Sequence, residues 1–147
     1  MVVVRTAEDY KATVSRTLEE VWNRNNWEAA KDSYADDIVV HTPSHPQPLR
    51  GREQGMRELH LALHTAHPDF HIQVLKMVCE GRDVVVQWRV SGTNTGGFMG
   101  MAPTGKRFSF AAVLICTMRD GHIAHEKRIY DFTGFLLEIG ALKAKPI

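Results

Sequence analysis

The hydrophobic pattern changes period at Pro68, and that break restricts the possible folds more than any other feature of the chain. Upstream, Tyr10, Val14, Leu18, Val21 and Trp22 recur at helical spacing, as do Met56, Leu59 and Leu63 between Gly51 and His67. Downstream, apolar residues alternate: Phe70-Ile72-Val74, Val84-Val86-Trp88-Val90, Phe108-Phe110-Ala112-Leu114-Cys116, and a run from Ile123 onward. Helices followed by consecutive strands predict an α+β fold, with helices covering one face of a largely antiparallel sheet. Thr6-Ala7-Glu8-Asp9 has the form of a capping box and starts a first helix, which should end near Asn25-Asn26. A short second helix is expected from Trp27 to Tyr34, closed by Ala35-Asp36-Asp37, and a first strand over Ile38-Val39-Val40-His41. Pro43, Pro46 and Pro48 then predict a loop, and Pro68 stops the third helix. Gly81-Arg82-Asp83 and Asp120-Gly121 supply turns.

A chain of 147 residues has room for one core, so residues 1–147 are expected to form a single domain. Its 18 Lys and Arg nearly balance 17 Asp and Glu without any block of like charge, which removes the electrostatic footprint of a nucleic-acid binder. The opening Met1-Val2-Val3-Val4-Arg5 is too short for a signal peptide's apolar segment or a membrane span. The expectation is a cytoplasmic protein without membrane association. Cys79 and Cys116 lie in apolar runs and form no paired-spacing motif, so they are expected to be buried reduced thiols.

Three stretches carry possible chemistry. Residues 100–107, GMAPTGKR, nearly match the phosphate-binding loop G-x-x-x-x-G-K-[ST], but Arg107 stands where the magnesium-binding hydroxyl belongs. A strand pattern follows, whereas a phosphate loop must open a helix whose amides hold the anion. A turn delivering the chain into that strand fits better. His60, His64 and His67 fall on one helix face, yet the stretch lacks the glutamate of H-E-x-x-H, so surface or rim histidines are expected and no metal site. The third stretch is the charged strand from Gly121 to Phe132. Alternation places Ile123, His125, Lys127, Ile129 and Asp131 on one face and Glu126, Arg128 and Tyr130 on the other, unless a bulge intervenes. Asp131 is embedded in apolar sequence. In a hydrophobic pocket its charged form would lose solvation, and its raised proton affinity would suit proton transfer; on an edge strand it would simply be solvated. Arg89, beside Trp88 in an apolar strand, would need a partner such as Asp131 or a substrate oxygen if buried. His41, at the end of the first strand, could donate to a substrate oxygen or cap the loop.

Several stretches together resemble the SnoaL-like polyketide cyclases, within the superfamily that shares the nuclear-transport-factor and ketosteroid-isomerase fold. They are His67-Pro68-Asp69-Phe70, Gly81 to Thr93, Gly97 to Lys106, and Asp131-Phe132-Thr133-Gly134-Phe135-Leu136. The resemblance implies an α+β cone: a curved antiparallel sheet wrapped around helices, with a deep apolar pocket open at one end, commonly dimeric. It also implies an aspartate near the end of the last strand as the acid/base for intramolecular aldol closure, a position that Asp131 matches, with no metal or organic cofactor. Limonene-type epoxide hydrolases on this fold carry Arg-x-Asp where this chain has Arg89-Val90-Ser91, so the second carboxylate of their arrangement is missing.

The function expected from these readings is cofactor-independent acid/base chemistry, aldol cyclisation or isomerisation, on a small hydrophobic carbonyl compound. Asp131 would be the acid/base, and Arg89 and His41 would polarise oxygen. Trp88, Phe98, Met101, Phe108 and Tyr130 would line or gate the pocket, and Tyr34 or Tyr130 could supply a hydroxyl donor. The alternative is a non-catalytic domain of the same fold that holds an apolar ligand or dimerises.

Overall fold

The computed structural model describes residues 4–145, so the apolar opening Met1–Val3 lies outside it. Helix α1 (Ala7–Thr17) begins at the expected capping box: the Asp9 amide donates to Thr6 Oγ1 at 3.1 Å, and the Thr6 amide donates to Asp9 Oδ2 at 2.8 Å. It continues as a wider π-helical turn over Leu18–Asn23, which turns Leu18, Val21 and Trp22 into the core. The expected second helix is a 3₁₀ segment, Trp27–Asp32, and does not reach Tyr34. Tyr34 opens strand β1 (Tyr34–Thr42), which is longer than its apolar run because exposed Asp36 and Asp37 continue it. Their carboxylates meet Arg52 and Arg119, so charge pairing keeps polar residues in extended backbone there.

The proline-rich stretch is a second correction. Instead of a loop it forms β2 (His45–Arg50), antiparallel to β1 with Val40 opposite Leu49. β2 is an edge strand, where a residue without an N–H costs the ladder nothing on its open side. A helical segment follows from Gly51, first as a π-helical turn and then as α2 (Arg57–Ala66). Strands β3 (His71–Glu80), β4 (Asp83–Thr93), β5 (Arg107–Arg119) and β6 (His122–Ile129) come next, and a short helix α3 (Phe132–Glu138) follows.

The strands form one curved sheet in the order β2-β1-β6-β5-β4-β3, antiparallel except for β1 beside β6. It remains open between β2 and β3, so it wraps the helices as a cone without closing into a barrel. The α+β expectation holds. Val14, Leu18, Val21 and Trp22 from the first helical segment and Met56 and Leu59 from the second pack against Val84, Val86, Leu114 and Cys116 of the sheet. Buried Cys116 and partly buried Cys79 are both free thiols.

GMAPTGKR lies in the irregular connection between β4 and β5, and β5 follows it directly. Phe98 and Met101 form an isolated antiparallel bridge, and the Gly105 amide donates to the Asn94 carbonyl at 2.9 Å. Gly96 is required where this connection crosses the end of α2. Its amide donates to Ala66 O at 2.9 Å, and a Cβ there would collide with the Thr65 carbonyl oxygen.

Candidate active site

The sheet's register stacks side chains in rows on its concave face. Val84, Cys116, Glu126 and Val40 are cross-strand partners in one row, and Val86, Leu114 and Arg128 in the next. Trp88 opposite Ala112 and Val90 opposite Phe110 follow. Glu126 and Arg128 are two residues apart on β6 and therefore share a face. Helix α2 covers the rows with Leu59 and Leu63. Between them is a small, mostly apolar cavity with about 50 Å³ of room for a water-sized sphere. It is lined by Leu59 and Leu63 of α2, Trp88 and Val90 of β4, Phe110 and Ala112 of β5, Phe70, Thr42, Ser44, Arg128 and Tyr130.

The polar part of this cavity is unusual for its burial. Arg128 and Glu126 are 6% and 0% exposed, and Arg128 Nε donates to Glu126 Oε2 at 2.9 Å. The guanidinium carbon lies 4.5 Å from the ring centre of Trp22 and 5.7 Å from that of Trp88, within cation–π range. Burial pulls the guanidinium's proton affinity down, but the nearby Glu126 and Tyr34 more than offset this and raise it above its ordinary value. Trp22 Nε1 donates to the Tyr34 hydroxyl at 2.7 Å. Burial first, then the charge of Glu126, pushes the Tyr34 phenol and the Cys116 thiol well up, so both stay protonated. Among the described residues, two buried donors on cavity-lining side chains have no partner: Arg128 Nη2 and Trp88 Nε1. Native proteins rarely leave such groups unmatched.

The histidines lie deeper than expected at the surface or rim. His60 and His67 are buried, and His64 is partly buried. His60 Nε2 donates to the Val21 carbonyl at 2.8 Å, and burial depresses its proton affinity. His64 stacks on Trp22 and is pushed down to about 4, chiefly by burial and then by the neighbouring histidines. Among the described residues no group of three metal-ligating side chains converges.

Of the residues singled out from sequence, Trp88 and Tyr130 line the cavity. Tyr34 lies deeper, bonded to Trp22, and does not line it. Phe98 and Phe108 are buried in an aromatic cluster with His67, Phe110, Phe132, Phe135 and Tyr130; Phe108 lies 4.9 Å from Phe135 and Phe110 lies 5.1 Å from Tyr130, ring centre to ring centre. Met101 is half-buried and bridged to Phe98. Phe98, Met101 and Phe108 therefore pack beside the cavity without lining it.

Three placements differ from expectation. Asp131 is exposed rather than enclosed: it caps α3, its Oδ1 accepting from the Gly134 amide at 2.9 Å. Arg89 is exposed and donates to Ser109 Oγ at 3.1 Å, because it alternates with Trp88 and Val90, which claim the concave face. His41 alternates in the same way with buried Val40 and Thr42, and its ring rests against His125 at 4.9 Å. The residues that sequence reasoning passed over as a site, Glu126 and Arg128, are the buried charges. Their spacing beside Tyr130, on the face opposite Asp131, was the available signal.

A model of the SnoaL-like polyketide cyclase family matches residues 12–139. The chain belongs to the SnoaL-like polyketide cyclase family. No curated protein matches the sequence. Among solved structures, a proposed SnoaL-like polyketide cyclase from Jannaschia sp. CCS1 is 22% identical with a TM-score of 0.86, over 97% of this chain and 99% of its own. IdmH, a proposed polyketide cyclase from Streptomyces antibioticus, is 27% identical with a TM-score of 0.75, over 89% of this chain and 98% of its own. AclR, a proposed hydroxylase from Streptomyces galilaeus, is 24% identical with a TM-score of 0.80, over 96% of this chain and 87% of its own. One family fold thus accompanies differently described activities, and the cavity's own chemistry must distinguish among them.

Proposed function

We propose that this SnoaL-like chain carries out cofactor-independent acid/base chemistry, aldol cyclisation or isomerisation, on a small hydrophobic carbonyl compound. The observation that carries this reading is the pair of buried N–H groups, on Arg128 and Trp88, that have no partner among the described residues, in a mostly apolar cavity. Removal of a proton α to a carbonyl moves negative charge onto its oxygen. Fixed donors in a dry site stabilise that charge without reorganising. The oxygen-polarising role expected of Arg89 and His41 therefore passes to Arg128 and Trp88. Asp131 follows cavity-lining Tyr130, and we assign it the proton transfer; to act, its carboxylate must leave the Gly134 amide and turn toward the mouth.

The test uses 1-tetralone in D₂O, with deuteration at its α-carbon followed by NMR. The wild-type protein should accelerate exchange, and Trp88→Phe, which keeps the ring and removes the N–H, should lower the rate by roughly 10²-fold, as loss of one oxyanion donor does. Asp131→Asn should abolish the acceleration. Binding of the ketone without any faster exchange would favour the alternative of a ligand-holding domain.

The proposed assembly is a homodimer. Exposed Val74, Leu75 and Val78 on β3 and Ile129 on β6 are consistent with a contact surface, and sedimentation equilibrium would measure the state.

A further inference from the structure

Arg128 is held by a buried carboxylate, and this has a consequence for which ligands can enter. Glu126 and Arg128 cancel one another's charge at 2.9 Å, with almost no solvent contact. The other titratable groups packed around them add no charge at neutral pH. Tyr34 and Cys116 stay protonated, because burial and then Glu126 raise both. His60, bonded to the Val21 carbonyl, and His64, stacked on Trp22, stay neutral because burial lowers both. The buried pair therefore adds no net charge to the cavity, whose lining carries the unpartnered N–H groups of Arg128 and Trp88 beside the hydroxyls of Thr42, Ser44 and Tyr130.

We infer that Glu126 is a specificity-determining residue that acts through Arg128: by neutralising the guanidinium it makes the cavity accept neutral carbonyl oxygens, as in ketones and esters, and reject the corresponding carboxylates. This rests on the cavity reading above and deepens it. A ketone or ester oxygen that accepts from Arg128 Nη2 or Trp88 Nε1 leaves the charge balance intact. A carboxylate of the same shape would place a second negative charge near Glu126, with no further cation among the lining residues and little water to screen it. An arginine without a buried partner would have the opposite preference, since guanidinium and carboxylate match in charge and geometry.

The experiment compares methyl benzoate with benzoate by ligand-observed NMR titration of the full chain at pH 7. The wild-type protein should bind the ester at least about tenfold more tightly than the anion. Glu126→Gln keeps an acceptor for Arg128 Nε and removes the negative charge; it should bring benzoate to the ester's affinity or beyond while changing ester binding less than about threefold. A merely structural role for Glu126 would weaken both ligands together and leave their ratio unchanged. If Glu126→Gln does not fold, a wild-type pH series decides. Between pH 7 and pH 5 benzoate binding should strengthen, by at most about tenfold per pH unit, as the neutral acid becomes available, while the ester, which reports any titration of His60 or His64, stays flat. Equal wild-type binding of ester and anion, or benzoate binding independent of pH, overturns the inference and leaves the carbonyl cavity standing. Failure of both ligands to bind removes the cavity reading and this inference with it.

Discussion

Breaking the Glu126–Arg128 pair from either side should destabilise the protein far more than removing both partners. The two side chains are 0% and 6% exposed, so a survivor cannot reach water, and in each single variant one ionised group is left buried without its counter-charge. For Arg128→Met and Glu126→Leu this costs about 3–5 kcal/mol each. For a chain of this length that is a fall in Tm of roughly 6–20 °C, at about 2–4 °C per kcal/mol. The double variant removes both charges and leaves apolar side chains of similar bulk against Trp22 and Trp88. Because Glu126 Oε1 and Arg128 Nη2 have no partners among the described residues, the native pair is only partly satisfied. The double variant should therefore fall within about 1 kcal/mol of the wild type, or above it. Urea denaturation of all four proteins, followed by circular dichroism, gives the coupling energy, expected to be at least about 5 kcal/mol. Single variants that each lose under about 1 kcal/mol, or a double variant that loses the sum of the two, would refute this account of the buried pair.

Three further outcomes are expected. Asp131→Asn should leave Tm nearly unchanged, since Asn also caps helices, whereas Asp131→Ala should cost about 1 kcal/mol by calorimetry; exchange activity lost in both variants would then be separable from capping. The depressed proton affinity of His64, about 4 against an ordinary 6.5, means that the unfolded chain takes up its proton first. Its contribution to stability is whole above pH 6.5, is lost as pH falls from 6.5 to 4 and is flat below, with His60 and His67 shifted in the same direction; the urea midpoint should follow that slope, less steeply in His64→Phe. Gly96→Ala, which drives a methyl group into the Thr65 carbonyl, should cost about 1–3 kcal/mol in thermal unfolding.

Much of the fold could be read along the chain because it depends on local periodicity. The capping box at Thr6, the helix ending at Pro68 and the alternation of β4 and β5 are each set by neighbouring residues, and each appears where expected. The misreadings share a cause. β2 was hidden because proline tolerance depends on being at a sheet edge, which only pairing reveals. Tyr34 joined a strand rather than a helix because β1 pairs it with Ile123, distant in sequence. α3 carries no signal beyond the strand that precedes it, so the capping bond that Asp131 makes to the Gly134 amide is visible only in the fold.

The last strand marks the boundary most clearly. Alternation by itself placed Glu126, Arg128 and Tyr130 on one face and His125, Lys127 and Ile129 on the other, and those two sets are correct; Ile123 is buried because the register shifts beside Thr117 and Met118. Periodicity is blind to which face turns inward. The sheet's curvature and the helices laid against it settled that, burying Glu126 and Arg128 beneath Trp22 and leaving Asp131 exposed as a helix cap. A side chain's period is a property of its own strand, whereas its burial is a property of what packs over that strand.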